Sequence, residues 1–325
     1  MEINRRWYND TILVSGENNM KKIFRHIRTI IILFLAIVYI VLFFNTPEQP
    51  PVSGFEIGEQ TRNILKMSII GIFLLTWFLG MLASIRSFDY AQKTHNEKFK
   101  ILFHALGIGI LVLVVGSAIT SFVDQIRNYN PENEEIHRNI TIVLNYLYVL
   151  IPLISFSHLY CAISHKYLKV KLSHNKNFVV GVAITVAIGS LWTALIFTNP
   201  ARQGTGLNSP GFYINDTLII FTIIIPTIFS WFFGVMSTLR MSDIATEIQE
   251  TLKKRAFSKI IVGVWLLIFD NILLSGLLSV GVDRLMIIGT SGIIVIIYLF
   301  VFINLIAYHR LSSGVKEMSH LDISA

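Results

Sequence analysis

"WFLGMLASIR" at residues 77–86 returns as "WFFGVMSTLR" at 231–240, with Trp, Phe, Gly and Arg identical at an offset of 154 residues and conservative exchanges elsewhere. The match extends upstream, where "FNTPEQPPVSGFEIGEQT" (44–61) answers "FTNPARQGTGLNSPGFYINDT" (197–217). Each copy has Asn and Pro just beyond an apolar run, a Gly-Phe pair (Gly54-Phe55, Gly211-Phe212), an Ile two positions on, and then an acid (Glu59, Asp216). Downstream, Asp124 and Asp283 each close the following run. Self-similarity at a fixed period marks a repeated unit.

The text between these landmarks is greasy. Only 14% of the 325 residues are charged, 53% are hydrophobic, and the mean hydropathy is +0.62. A soluble domain carries about 25% charged residues. A helix needs about 20 apolar residues to cross a ~30 Å hydrocarbon core. Eight runs qualify, at about 27–44, 64–85, 101–123, 139–164, 177–198, 217–239, 260–280 and 285–308. The period-two alternation of a transmembrane barrel is absent, so the spans are expected to be helices.

The expected fold is therefore an all-α integral membrane protein of eight transmembrane helices in two tandem four-helix repeats. An even number of spans per unit sets both copies the same way up, about a pseudo-twofold axis along the membrane normal. The boundaries read as an N-terminal segment 1–26, a first repeat 27–165, a linker 166–176, a second repeat 177–310 and a tail 311–325. The run 29–44 follows basic residues as a signal peptide would, but "FFNTPEQPP" after it has no small-residue cleavage pattern.

Charge sets the orientation. With these spans, 21 of the 27 Lys and Arg fall in the N-terminal segment, the tail and the loops on their side, and 6 on the other. Cytoplasmic loops keep the excess of basic residues, so both termini are expected in the cytoplasm and the protein in the cytoplasmic membrane. Acids divide 10 inside and 9 outside, with Asp270 left over. The +7 net charge is then a topology signal, and a nucleic-acid partner is not expected.

Asp270 interrupts "LLIFDNILLSG" (266–276) about ten residues into its run, which is roughly 15 Å of helix from the surface. A charged Asp at mid-bilayer costs at least ~2.5 kcal/mol on insertion scales. Such an acid is either protonated or facing water, an ion or a partner. The aligned position in the first copy is apolar, near Leu111, which makes the acid an asymmetric feature. Asn271, Thr227, Thr193 and Ser190 are the candidate companions of a polar midplane pocket. Pro226 and Pro152, each expected near the middle of a span, remove a backbone bond and expose a carbonyl, that of Thr222 in the first case. The competing reading is a hydrogen-bonded acid that only ties two helices together.

Trp77 with Gly80, and Trp231 with Gly234, pair a large ring with a gap three positions on, a packing device for a neighbouring helix. Arg86 and Arg240 close their spans and are expected to snorkel or to cap helix carbonyls. The segments 87–99 and 242–257 are expected as short surface helices, the second with Ile244, Ile248 and Leu252 on one face. His104 and His158 lie at similar height in consecutive spans, and two facing histidines are a weak candidate for haem or a metal. No other cofactor is implied.

The lone Cys161 excludes a disulfide framework. Nucleotide-binding, zinc-protease and nucleophile-elbow motifs are absent, so no enzyme is expected. "NDTLIIFTIIIPTIFSW" (215–231) resembles the Asp-Thr, Ile-Pro-Thr, Phe-Ser-Trp run in one helix hairpin of haem-copper oxidase subunit I, over under a tenth of the chain. That family's chemistry rests on several histidines, and none occurs here between His174 and His309, so the resemblance implies a helix bundle without the metals.

Two classes of function remain. One is a gradient-driven transporter or channel-like protein for a proton, a cation or a small solute, working through Asp270. The other is a non-catalytic subunit or assembly factor of a larger membrane complex. Partners beyond the lipid bilayer are a homodimer or such a complex, since small-residue stripes in the third and seventh runs suit either homodimer contact or contact between the repeats.

Overall fold

The computed structural model describes residues 37, 59–129, 134–167, 224–280 and 289–323. All but Ile37 belong to one compact unit, Pro47–Ala325, while that residue is an exposed helical position of the unit Met1–Thr46. The described chain is all-helical: α1 (Glu59–Lys93), α2 (Glu97–Tyr129), α3 (Glu134–Tyr167), α4 (Ile225–Glu247), α5 (Thr251–Val280) and α6 (Gly289–Ile323). In hydrocarbon every backbone N–H and C=O must be paired within the segment, which selects helices for such apolar text.

Four of these helices contain stretches long and apolar enough to cross a membrane, Ile70–Lys93, Glu97–Val123, Leu147–Ser164 and Thr251–Leu273. The chain is a multi-pass helical membrane protein. Apart from Ile37, the first and fifth expected spans, with Ser190, Thr193, both Gly-Phe pairs and Asp283, lie outside the described residues.

The helices form a closed ring. Each packs on its neighbours in the order α1 to α6, and α6 returns to pack on α1. Trp231, Tyr90, Phe103, Phe257, Ile268, Leu311 and Met318 fill the interior. Ile64, Met67, Phe78, Phe229, Phe269 and Phe302 are exposed on the outside, as expected of surfaces solvated by lipid rather than water. Across one end of the ring, Phe99 and Phe103 of α2 both meet the Phe257 ring of α5, at 5.9 and 6.3 Å.

The surface helices expected at 87–99 and 242–257 do not form. Instead α1 and α4 run on to Lys93 and Glu247, with only residues 94–96 and 248–250 non-helical before α2 and α5 begin. A helix of 35 residues such as α1 is ~52 Å long at 1.5 Å per residue, well beyond a ~30 Å core. The amphipathic spacing therefore belongs to helix ends that project past the membrane. Asn96 starts α2 by accepting the backbone N–H of Lys98 at 2.9 Å, with Glu97 following in the first turn, a combination of side-chain cap and favourable dipole.

At this loop end the C-terminal helix is tied down. Asp322 accepts the Tyr90 hydroxyl at 2.6 Å and pairs with Lys253 at 3.0 Å, joining α1, α5 and α6. Lys259 and Glu317 add a second α5–α6 ion pair.

Candidate functional site

Two tryptophans set the register of the helices that carry the acid. Trp77 of α1 donates its ring N–H to the Ser117 hydroxyl of α2 at 3.3 Å, and Trp231 of α4 donates to Asn271 Oδ1 of α5 at 3.1 Å. Both members of the second pair stand 154 residues beyond the first. Three positions on, a Cβ on Gly80 would collide with Val114 of α2 and meet the Tyr308 ring of α6 at 3.3 Å. A Cβ on Gly234 would lie 2.9 Å from Ile268 of α5 and 3.4 Å from Phe156 of α3. Val114 and Ile268 are again 154 apart, and Phe156 and Tyr308 are 152 apart.

This spacing sets Asp270 against a different position from the neighbourhood of Leu111 expected from the sequence. At the contact offset of 154 its counterpart is Gly116, and at 152 the counterpart of Asn304 is Pro152. In the α2–α3 seam Gly116 packs so closely on Ile151 that a Cβ would lie within 3 Å of three of its side-chain atoms. In the α5–α6 seam the same two places hold a carboxyl and an amide. Asn304 Nδ2 donates to Asp270 Oδ2 at 2.7 Å and more weakly, at 3.3 Å, to the carbonyl of Phe300.

Asp270 is 9% exposed, and its Oδ1 is buried with no hydrogen-bond partner among the described residues. Tyr308, one turn beyond Asn304 and 4% exposed, is close enough for direct electrostatic interaction with the acid. The carboxyl thus sits in a closed α5–α6 seam, with one oxygen fixed and the other open. Such a group accepts a proton or contributes one oxygen to a cation without disturbing the bond that holds it.

Of the companions expected from the sequence, two lie among the described residues. Asn271 turns to Trp231, and Thr227 is buried in the first turn of α4. Pro226 lies near the beginning of the described part of α4, and the preceding Ile224 is already helical; the residues before 224 lie outside the described residues. Pro152 is buried inside α3, where it has no N–H to donate to the helical ladder. Asn304, the residue that holds the acid, is absent from the sequence-based set. The signal was available: "LIPLIS" (150–155) and "FINLIA" (302–307) align residue for residue and set Asn304 against Pro152.

His104 and His158 are both exposed, and the His104 ring packs edge-on against Phe88 of α1, 5.4 Å between centroids. No cluster of three metal-ligating side chains occurs among the described residues. Arg86 reaches across to the body of α6, donating to the Ser312 carbonyl at 3.2 Å and to its hydroxyl at 2.6 Å, well short of the helix end. Arg240 makes no such contact among the described residues, its Nε and Nη1 being buried without a hydrogen-bond partner there.

No protein-family model, no curated protein and no solved structure matches the chain.

Proposed function

We propose that the chain is a gradient-driven carrier of the cytoplasmic membrane in which Asp270 takes up and releases a proton or a cation. Two tandem four-helix units, with both termini cytoplasmic, form its frame. The repeated contacts at offsets of 154 and 152 residues support that duplication, because chance resemblance between greasy helices would not reproduce hydrogen bonds and close approaches in one register. Related units moving about a shared axis are the usual machinery of alternating access.

The observation that carries the reading is the state of the acid. An ionised carboxylate inside a membrane helix is costly, and binding a proton or a cation removes most of that cost. Asn304 holds one oxygen, leaving Oδ1 as the place where a proton or metal ion adds. Only one unit has the acid, so each cycle would carry one charge.

A second reading, a metal-free structural subunit, is favoured by the same seam seen differently: Asp270 and Asn304 occupy the places of the packing pair Gly116 and Pro152, and an interhelical bond suffices to keep them. Proteoliposomes separate the two. With an imposed potential and sodium, potassium or protons alone as the mobile cation, the carrier reading expects flux with one of them that Asp270→Asn abolishes. Flux by Asp270→Asn equal to wild type, or none from wild type with any of the three, sinks it.

A further inference from the structure

Asp270 lies on a face of α5 that packs backbone to backbone on α6. Gly263 and Asp270 are seven residues apart, two helical turns, and so share that face, while Asn304, Ala307, Leu311 and Gly314 stand at i, i+3, i+7 and i+10 on α6. A Cβ on Gly263 would lie 2.9 Å from the Ala307 carbonyl oxygen and 2.6 Å from the Leu311 side chain. One on Gly314 would lie 2.8 Å from the Ala256 carbonyl oxygen and 3.3 Å from the Ile260 backbone nitrogen. At both glycines the helices approach so closely that a methyl group does not fit between them. Further along the same seam the Asp270 carboxyl is 9% exposed and is bonded across to Asn304 at 2.7 Å.

Asn304 offers the acid its N–H group and not its carbonyl. Nδ2 also donates to the Phe300 carbonyl, which can only accept, so the amide is held in one orientation by two acceptors. Its positive end therefore points at the carboxyl, which suits a carboxylate but opposes a metal ion seated on the same group. Tyr308 is the other side chain among the described residues that bears on the acid, and it brings no second negative charge. A metal ion needs a fuller shell. Calcium and magnesium gather about six or more oxygens, and a potassium site replaces the hydration shell with a ring of carbonyls. Among the described residues the seam offers Asp270 Oδ1 as its open oxygen.

We propose that the ion taken up at Asp270 is a proton, added at Oδ1, and that the α5–α6 seam admits no metal ion. This rests on the carrier reading above and narrows it. The step balances without a further reactant: the carboxylate and one proton give the neutral acid, and Oδ2 goes on accepting the Asn304 N–H. A proton adds almost no volume, so the seam keeps its close approach in both states. A metal ion would have to part the helices and turn the Asn304 amide over.

The test uses the full chain in two settings. In detergent, equilibrium binding of radioactive sodium, rubidium and calcium is compared for wild type and Asp270→Asn. In proteoliposomes under an imposed potential, proton flux is read with an internal pH-sensitive dye for the same two proteins. Proton flux that Asp270→Asn loses, together with no metal binding that depends on Asp270, supports the assignment. Binding of one of the metals by wild type that Asp270→Asn loses overturns it, and leaves the carrier reading standing where uptake of that metal is lost as well. Proton flux equal in the two proteins, or no flux of any of these ions from wild type, removes the carrier reading and the assignment with it. If Asp270→Asn does not fold, wild type alone decides: in unbuffered detergent, saturable metal binding that releases one proton per ion overturns the assignment, and proton flux with no such binding supports it.

Discussion

Replacing Asn304 by Leu should cost more stability than replacing Asp270 by Leu, and making both changes should cost less than either. The order follows from what each single change strands. Without Asn304, Asp270 Oδ2 loses its 2.7 Å donor while Oδ1 already lacks one, leaving a carboxyl with neither oxygen bonded among the described residues. An unsatisfied buried polar group costs about 1–3 kcal/mol, and more when charged. Without Asp270, the Asn304 amide keeps its 3.3 Å bond to the Phe300 carbonyl, so the loss is nearer 1 kcal/mol, within the range measured for hydrogen bonds between membrane helices. In the double variant neither member of the pair is stranded, and two leucines in this buried seam should be close to neutral. The coupling energy is therefore about 2–4 kcal/mol, equivalent to a factor of about thirty to nearly a thousand in the unfolding equilibrium. Reversible unfolding of the full chain in mixed micelles, titrated with denaturing detergent, reads it directly. Additive single-variant effects, with the double variant the least stable of the three, would refute the reasoning.

Other substitutions test the packing around this seam. Gly80→Ala should destabilise by about 1–3 kcal/mol, because its new methyl runs into Val114 and the Tyr308 ring, whereas Gly71→Ala, with nothing within 4 Å of the added carbon, should be neutral or slightly stabilising in the same unfolding assay. Trp231→Phe removes the bond to Asn271 and should cost about 1 kcal/mol beyond any packing loss; an Asn271→Leu background should erase that increment in a double-mutant cycle. Tyr90→Phe frees one of the ties on Asp322, so amide hydrogen exchange near the end of α6 should quicken by up to about tenfold, while exchange in α3 stays unchanged.

Apolar run length was enough to read the helices, because in lipid the backbone has no other way to pair its polar groups. The ten-residue echo from Trp77 to Arg86 also carried structural content, since its tryptophans and glycines are the points where neighbouring helices touch. What the sequence hid is register. Matching Asp124 with Asp283 implies an offset of 159 residues and sets Asp270 against Leu111, while the contacts obey 154 and set it against Gly116. A slip of five residues is invisible in text made of Leu, Ile and Val, which is why Asn304 went unnoticed as the partner of the acid. The projecting helix ends were hidden for a different reason. An i, i+4 apolar stripe is the same whether a helix lies on the membrane or continues out of it, and only the three-residue breaks at 94–96 and 248–250 tell them apart.

The account depends most on whether the Asp270 carboxyl exchanges protons with water. Infrared difference spectroscopy of the reconstituted protein measures this through the carbonyl stretch of a protonated carboxylic acid, which shifts when deuterium replaces the proton. A carrier site predicts a band that is missing in Asp270→Asn, shifts within minutes of transfer to heavy water, and disappears as pH is raised. An Asp270 band that neither shifts in heavy water nor responds to pH would make the acid a sealed interhelical contact and contradict the carrier reading.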